Sequence, residues 1–233
     1  MGGVWTQWWR LGGLAAILFV VTFIVGVALQ SEPPLFDDPI DEVRADWASD
    51  GQTYLAADYV LGLAFVFFYI PFIVALRELL GRVEGRSYMW PRVAFIGALF
   101  FMLWAASASV FWGALAFGDF AETASDETLR TLMVLDYYAV SGMPFTWVVF
   151  VGATTIVIWQ THVFSSWLIY LGLLESILAV LAPLAIFSAN SDSFFDLIYF
   201  IAFFGVLLWI LVIGIAMLRR QEEPAALSIT AQP

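Results

Sequence analysis

Long apolar runs separated by short polar intervals set the pattern of this chain. Windows of about 19 residues place membrane-length helices near 11–29, 58–80, 93–116, 129–158, 167–187 and 195–218. About 20 apolar residues suffice to cross a hydrocarbon core, and each run has roughly that length. The pattern predicts an all-α, polytopic membrane protein: one bundle of six transmembrane helices within residues 1–220, followed by a polar tail over 221–233. The first run exceeds the apolar segment of a secretory signal, and Val27-Ala28-Leu29-Gln30 is a poor cleavage site, so it reads as a retained helix.

The interval between the first two runs has a pattern of its own. Ile40, Val43 and Trp47 recur at helical spacing, so one face is apolar. Asp38-Pro39 has the form of an N-cap followed by proline, Asp41 and Glu42 suit a helix N-terminus, and Gly51 offers a stop. These signals predict a short amphipathic helix in the first outer loop, separate from the second span. Its acidity does not make a calcium loop: counting from Asp46, the third and twelfth positions are Ala48 and Ala57.

Composition strengthens the membrane assignment and removes several chemistries. The apolar fraction is 62% and the mean hydropathy is +0.90, well above a soluble domain. With no cysteine, disulfides, thiolate metal sites and cysteine nucleophiles are excluded. All nine cations are arginine, so no lysine can form a Schiff base. A single histidine, His162, cannot supply a histidine-cluster metal site or a bis-histidine haem. No cofactor or metal is expected. The net charge of −11 disfavours nucleic acid, leaving the lipid bilayer, partner membrane helices or a homo-oligomer as the expected interactions.

Arginine placement predicts orientation. Arg10, Arg77, Arg82, Arg86, Arg92, Arg219 and Arg220 fall on one side of the spans, and Arg44 and Arg130 on the other. The positive-inside rule puts the first group, and both termini, in the cytoplasm. Trp8, Trp9, Trp90, Trp159 and Trp167 fall at the same inner boundary. Most acidic residues lie in the opposite loops.

The polar residues within the spans are the candidate chemistry. Glu175 lies about 12 Å beyond the start of the fifth span at 1.5 Å per residue, where a charge costs at least ~2.5–3.5 kcal/mol. Gly172, Ala179 and Ala182 share its helix face, so it should point into the bundle, as a proton- or cation-carrying carboxylate or as a group bonded to Ser107, Ser109 or a backbone carbonyl. Asp136 lies two to three turns into the fourth span, capped by Ser125 or Thr123, where Tyr69, Tyr137 or Ser141 could donate to it. Asp58 and Asp196 form an outer acidic rim, each read as sitting near a helix start, where the macrodipole accounts for it. Pro71, Pro144 and Pro183 interrupt three spans, with Gly142-Met143-Pro144 the best candidate hinge. A weak repeat is visible: Trp90 follows the Asp58-Tyr59 pair's aspartate by 32 residues and Trp167 follows that of Asp136-Tyr137 by 31, each with a glycine, Gly97 or Gly172, shortly after.

Three stretches carry a likeness to a known group. Tyr59-Val60-Leu61-Gly62-Leu63-Ala64 running on to Leu76-Arg77-Glu78-Leu79-Leu80, Trp167-Leu168-Ile169-Tyr170-Leu171-Gly172, and Leu208-Trp209 to Leu218-Arg219-Arg220 resemble six-span bacterial membrane proteins similar to DUF4386. The likeness runs from about residue 34 to 220, and departs from the group's usual Pro-Arg at Ser165-Ser166. It implies a bacterial cytoplasmic membrane and a six-helix fold, and implies no activity.

No zincin, nucleophile-elbow or P-loop pattern is present. The sequence therefore points to a non-catalytic envelope, sensor or accessory component. A proton-coupled transporter using Glu175 and Asp136 is the alternative, and a binder of hydrophobic ligands or lipid the third.

Overall fold

The computed structural model of the protein describes residues 8–30, 34–85, 88–187 and 194–220. The tail 221–233, Arg86 and residues 188–193 of the last acidic loop lie outside the described residues. The fold consists of α1 (Trp8–Leu29), α2 (Ile40–Leu63), a π-helical segment (Ala64–Tyr69), α3 (Ile70–Glu84) and α4 (Met89–Ala116), then α5 (Phe120–Thr123), α6 (Asp126–Gly142) and α7 (Pro144–Thr161). It ends with α8 (Trp167–Leu181), a 3-10 segment (Ala182–Phe187) and α9 (Phe194–Arg219). Joined where they run on, they make six helices long and apolar enough to cross a membrane, as in a multi-pass integral membrane protein.

Each internal proline leaves a local mark. Pro71 has no N–H to offer the preceding turn, and the helix loosens just before it into the π-helical segment, where Ile70 N–H reaches back to Phe65 O. Pro144 starts α7 directly after the break at Met143. Around Pro183 the helix tightens into the 3-10 segment.

The segment between the first two spans differs from expectation. No stop occurs at Gly51; α2, the π segment and α3 form one 45-residue helical run from Ile40 to Glu84. At 1.5 Å per residue it is about 67 Å long, roughly twice a hydrocarbon core of about 30 Å. Gly51 is instead a close-approach residue, where an added Cβ would meet the Ala116 carbonyl at 3.0 Å. Asp38 does not cap the helix; its Oδ2 accepts from Leu35 N–H at 2.7 Å, and the cap position is Pro39.

The expected apolar face is nevertheless used. Val43 and Trp47 are buried with Tyr54 against Leu115, Leu129 and Met133. Trp47, Tyr54 and Trp112 form a triangle of rings 4.7–5.4 Å apart. This second core caps the acidic end of the bundle, built from the start of α2, the end of α4, α5 and the start of α6.

The main core is an aromatic column through the bundle. Phe19, Phe65, Tyr69 and Phe101 meet at 4.9–5.5 Å, and Phe150 and Trp209 continue it toward α7 and α9 at 5.4 Å. Helices close on this column where side chains are small: an added Cβ at Gly13 would meet the Gly214 carbonyl at 2.6 Å, and one at Gly97 would meet Phe150 N at 2.6 Å.

Candidate functional site: a cavity beneath the acidic cap

A cavity of about 570 Å³ lies between the cap and the aromatic column. Its floor is made by Phe23, Phe65, Phe101 and Phe203, whose rings contact one another in pairs at 5.5–5.9 Å. Trp112 lines it and also packs against the core of the cap. From α4, Ala105, Ala108, Ser109 and Trp112 line it at spacings of three, four and seven residues, the period of one helix face. Leu35, Phe200 and Phe204 lie on its rim and are 42–59% exposed.

Two carboxylates interrupt this apolar wall, Asp58 from α2 and Asp136 from α6. Asp58 is not the helix-start residue its sequence context predicts; it lies 18 residues inside α2, so the helix-start macrodipole does not account for it. The Ser109 hydroxyl lies within hydrogen-bonding reach of it across the α2–α4 contact. Asp136 occupies α6, which Ser125 caps as expected by accepting from Thr128 N–H at 3.3 Å. Its Oδ1 is buried and accepts no hydrogen bond. Tyr199 of α9 lines the same cavity.

The donors proposed for Asp136 go elsewhere. Tyr69 donates to Ala98 O at 3.3 Å. Tyr137 donates to Ala185 O at 3.0 Å, with Asp196 Oδ1 a second acceptor at 3.3 Å, and Ser141 lies beside it. Asp196 is in the first turn of α9, as expected, and joins this pair rather than the cavity.

Glu175 stands apart. It is 2% exposed and faces into the bundle together with Gly172, Ala179 and Ala182, as its helix face predicts. Its carboxylate packs against α9 at Gly205, and its Oε1 accepts no hydrogen bond. The expected bond from Ser107 or Ser109 is absent: Ser107 is exposed and donates to Leu103 O at 3.0 Å, while Ser109 lies on the cavity. Glu175 does not line the cavity, so the structure does not join it to Asp136 in one space.

The two outlying arginines fasten the acidic end. Arg44 donates to the carbonyls of Ala121 and Glu122 and pairs with Asp126 at 2.7 Å. Arg130 donates to Phe36 O at 2.5 Å and to the carbonyl of Asp38. Phe36 in turn lies 4.5 Å from the Tyr137 ring, which holds the segment bearing Leu35 over the cavity rim. The sequence points to Asp58, Ser109 and Asp136, which the structure brings to one cavity, but not to the apolar space that joins them; the helical spacing of Ala105, Ala108, Ser109 and Trp112 was a readable signal for one face of it. Among the described residues no group of three or more His, Cys, Asp or Glu side chains is placed to hold a metal ion.

Comparison of the chain with family models, with curated proteins and with solved structures gives no match.

Proposed function

We propose that this protein is a non-catalytic component of a bacterial cytoplasmic membrane that holds a hydrophobic ligand in the cavity beneath its acidic cap. In the orientation set by the arginines, both termini are cytoplasmic and the cavity lies toward the outer leaflet. The observation that carries the reading is the cavity itself. Its volume of about 570 Å³ falls within the 300–1,000 Å³ usual for ligand sites, and a mostly apolar lining with a few polar groups is the usual composition of such sites. The exposed rings of Phe200 and Phe204 at its rim give an acyl chain a continuous apolar path from lipid. The six membrane-length helices support the multi-pass architecture; kinship with DUF4386-type proteins is proposed on the quoted stretches alone and adds no activity.

This reading is preferred to proton-coupled transport through Glu175 and Asp136, because Glu175 lies outside the cavity and packs against Gly205. Here Glu175 belongs to the α8–α9 contact.

Saturable binding of tritiated dodecanol to the full chain in phosphatidylcholine nanodiscs tests the proposal, with protein-free discs as background. Ala108→Phe, which fills the cavity, should lower the affinity at least about tenfold while the thermal unfolding midpoint is kept. Uptake no greater than in empty discs, or uptake unchanged by Ala108→Phe, would overturn it.

A further inference from the structure

The cavity wall carries two carboxyl groups, Asp58 and Asp136, and, among its described residues, no basic side chain. The chain contains no lysine. The nearest basic residue in sequence to Asp136, Arg130, spends its guanidinium on the carbonyls of Phe36 and Asp38. Arg44 is held by Asp126 and by the carbonyls of Ala121 and Glu122. Asp136 Oδ1 is buried without a hydrogen-bond donor. A carboxylate facing apolar space is costly when unpaired, and a cation with donors of its own removes most of that cost.

From this juxtaposition we propose that the ligand is a cationic amphiphile. Its amine or quaternary ammonium head sits between Asp58 and Asp136, and its apolar tail lies on Phe23, Phe65, Phe101 and Phe203. This deepens the reading of the cavity as a hydrophobic-ligand site and rests on it.

Three features select an organic cation over a metal ion. Hard cations take six or more oxygen ligands in a tight shell; the polar lining is Asp58, Asp136, Ser109, Gln30 and Tyr199, and among the described residues no three His, Cys, Asp or Glu side chains are placed to hold a metal together. The remaining surface is apolar, which suits a weakly hydrated head joined to a hydrocarbon tail. Trp112 and Tyr199 place aromatic rings on the same wall, and aromatic faces attract alkylammonium groups. The arrangement also opposes other ligands. A fatty-acid carboxylate would be brought beside two carboxyl groups with no basic side chain on the wall to receive it, so the cavity selects against anions as well as for cations.

The test uses three probes with one tail: dodecyltrimethylammonium, dodecanol and dodecanoate. Each is titrated into the full chain in phosphatidylcholine nanodiscs, with protein-free discs subtracted. The cation should bind about tenfold or more tighter than dodecanol, the scale expected of one desolvated charge contact. Dodecanoate should bind weaker than dodecanol. Asp136→Asn and Asp58→Asn should each reduce the cation's advantage, and the double variant should abolish it. The thermal unfolding midpoint should be kept in all three variants, which serves as the folding control. If the cation has no advantage over dodecanol, or keeps it in the double variant, the charge selectivity is overturned while the cavity reading stands. If dodecanol fails to bind saturably, both fall.

Discussion

Glu175 and Gly205 share one contact between α8 and α9: a Cβ at position 205 would collide with Oε2 of Glu175. Glu175 is 2% exposed, so its carboxyl end has to turn within the packed bundle to admit a Cβ. Gly205→Ala should therefore lower stability by about 1–3 kcal/mol, the usual range for overpacking. Glu175→Ala vacates the same space, so the double variant should recover most of that loss, a non-additivity of about 1 kcal/mol or more. Glu175→Gln keeps the shape and should stay within about 1 kcal/mol of the parent chain. Denaturant unfolding of the four proteins in one detergent checks the cycle, and simple additivity would show that the two residues do not compete for space.

This contact also marks the reach of the sequence. The helix face of Glu175 was readable, because Gly172, Ala179 and Ala182 recur at its own period. Its neighbour Gly205, 30 positions further along, was not. The same division holds at Asp58. Local signals favoured a helix stop at Gly51 and a fresh start near Asp58, but the packing of Val43, Trp47 and Tyr54 on α4 and α6 carries the helix through. Hydrophobic run length fixes where spans lie. A cavity is space left between elements, set by the break at Met143–Pro144 and by the close approach of other helices, and no single run encodes it.

The arginine clasps at the acidic end should differ from the ion pair beside them. Asp126 is 70% exposed in its pair with Arg44, and such pairs contribute about 0–1 kcal/mol. Asp126→Asn should therefore change little. Arg44→Ala also frees the carbonyls of Ala121 and Glu122, and Arg130→Ala frees those of Phe36 and Asp38. Each should cost about 1.5–3 kcal/mol, the range for charged hydrogen bonds. Hydrogen exchange should quicken around 34–39 in the Arg130 variant and around 120–124 in the Arg44 variant. Arg130→Lys should rescue poorly, because a single ammonium does not reproduce a planar fork spanning two carbonyls.

Glycines at helix contacts should separate sharply from those facing outward. A Cβ at Gly97 would lie 2.6 Å from Phe150 N, and backbone cannot step aside as a flexible side chain does. Gly97→Ala should force α4 from α7 and cost about 2–4 kcal/mol. Gly62 has nothing within 4 Å of an added Cβ. Gly62→Ala should be neutral or stabilising by up to about 1 kcal/mol, through helix propensity. Equal unfolding midpoints for the two variants would contradict the close packing of α4 on α7.

Tyr137 distinguishes a structural carboxylate from the two on the cavity. Its hydroxyl donates to Ala185 O at 3.0 Å and reaches Asp196 Oδ1 at 3.3 Å. Tyr137→Phe leaves the Ala185 carbonyl without this donor, just beyond Pro183, and should cost about 0.5–1.5 kcal/mol. Asp196→Asn keeps the shape and leaves the Ala185 acceptor in place, so its cost should be smaller than that of Tyr137→Phe. Neither residue itself lines the cavity. Dodecanol and dodecyltrimethylammonium binding should therefore be the same in both variants as in the parent chain. A stability loss without a binding loss would place Asp196 with the helix contacts of α6 and α9; a binding loss would extend the cavity's charged wall to the start of α9.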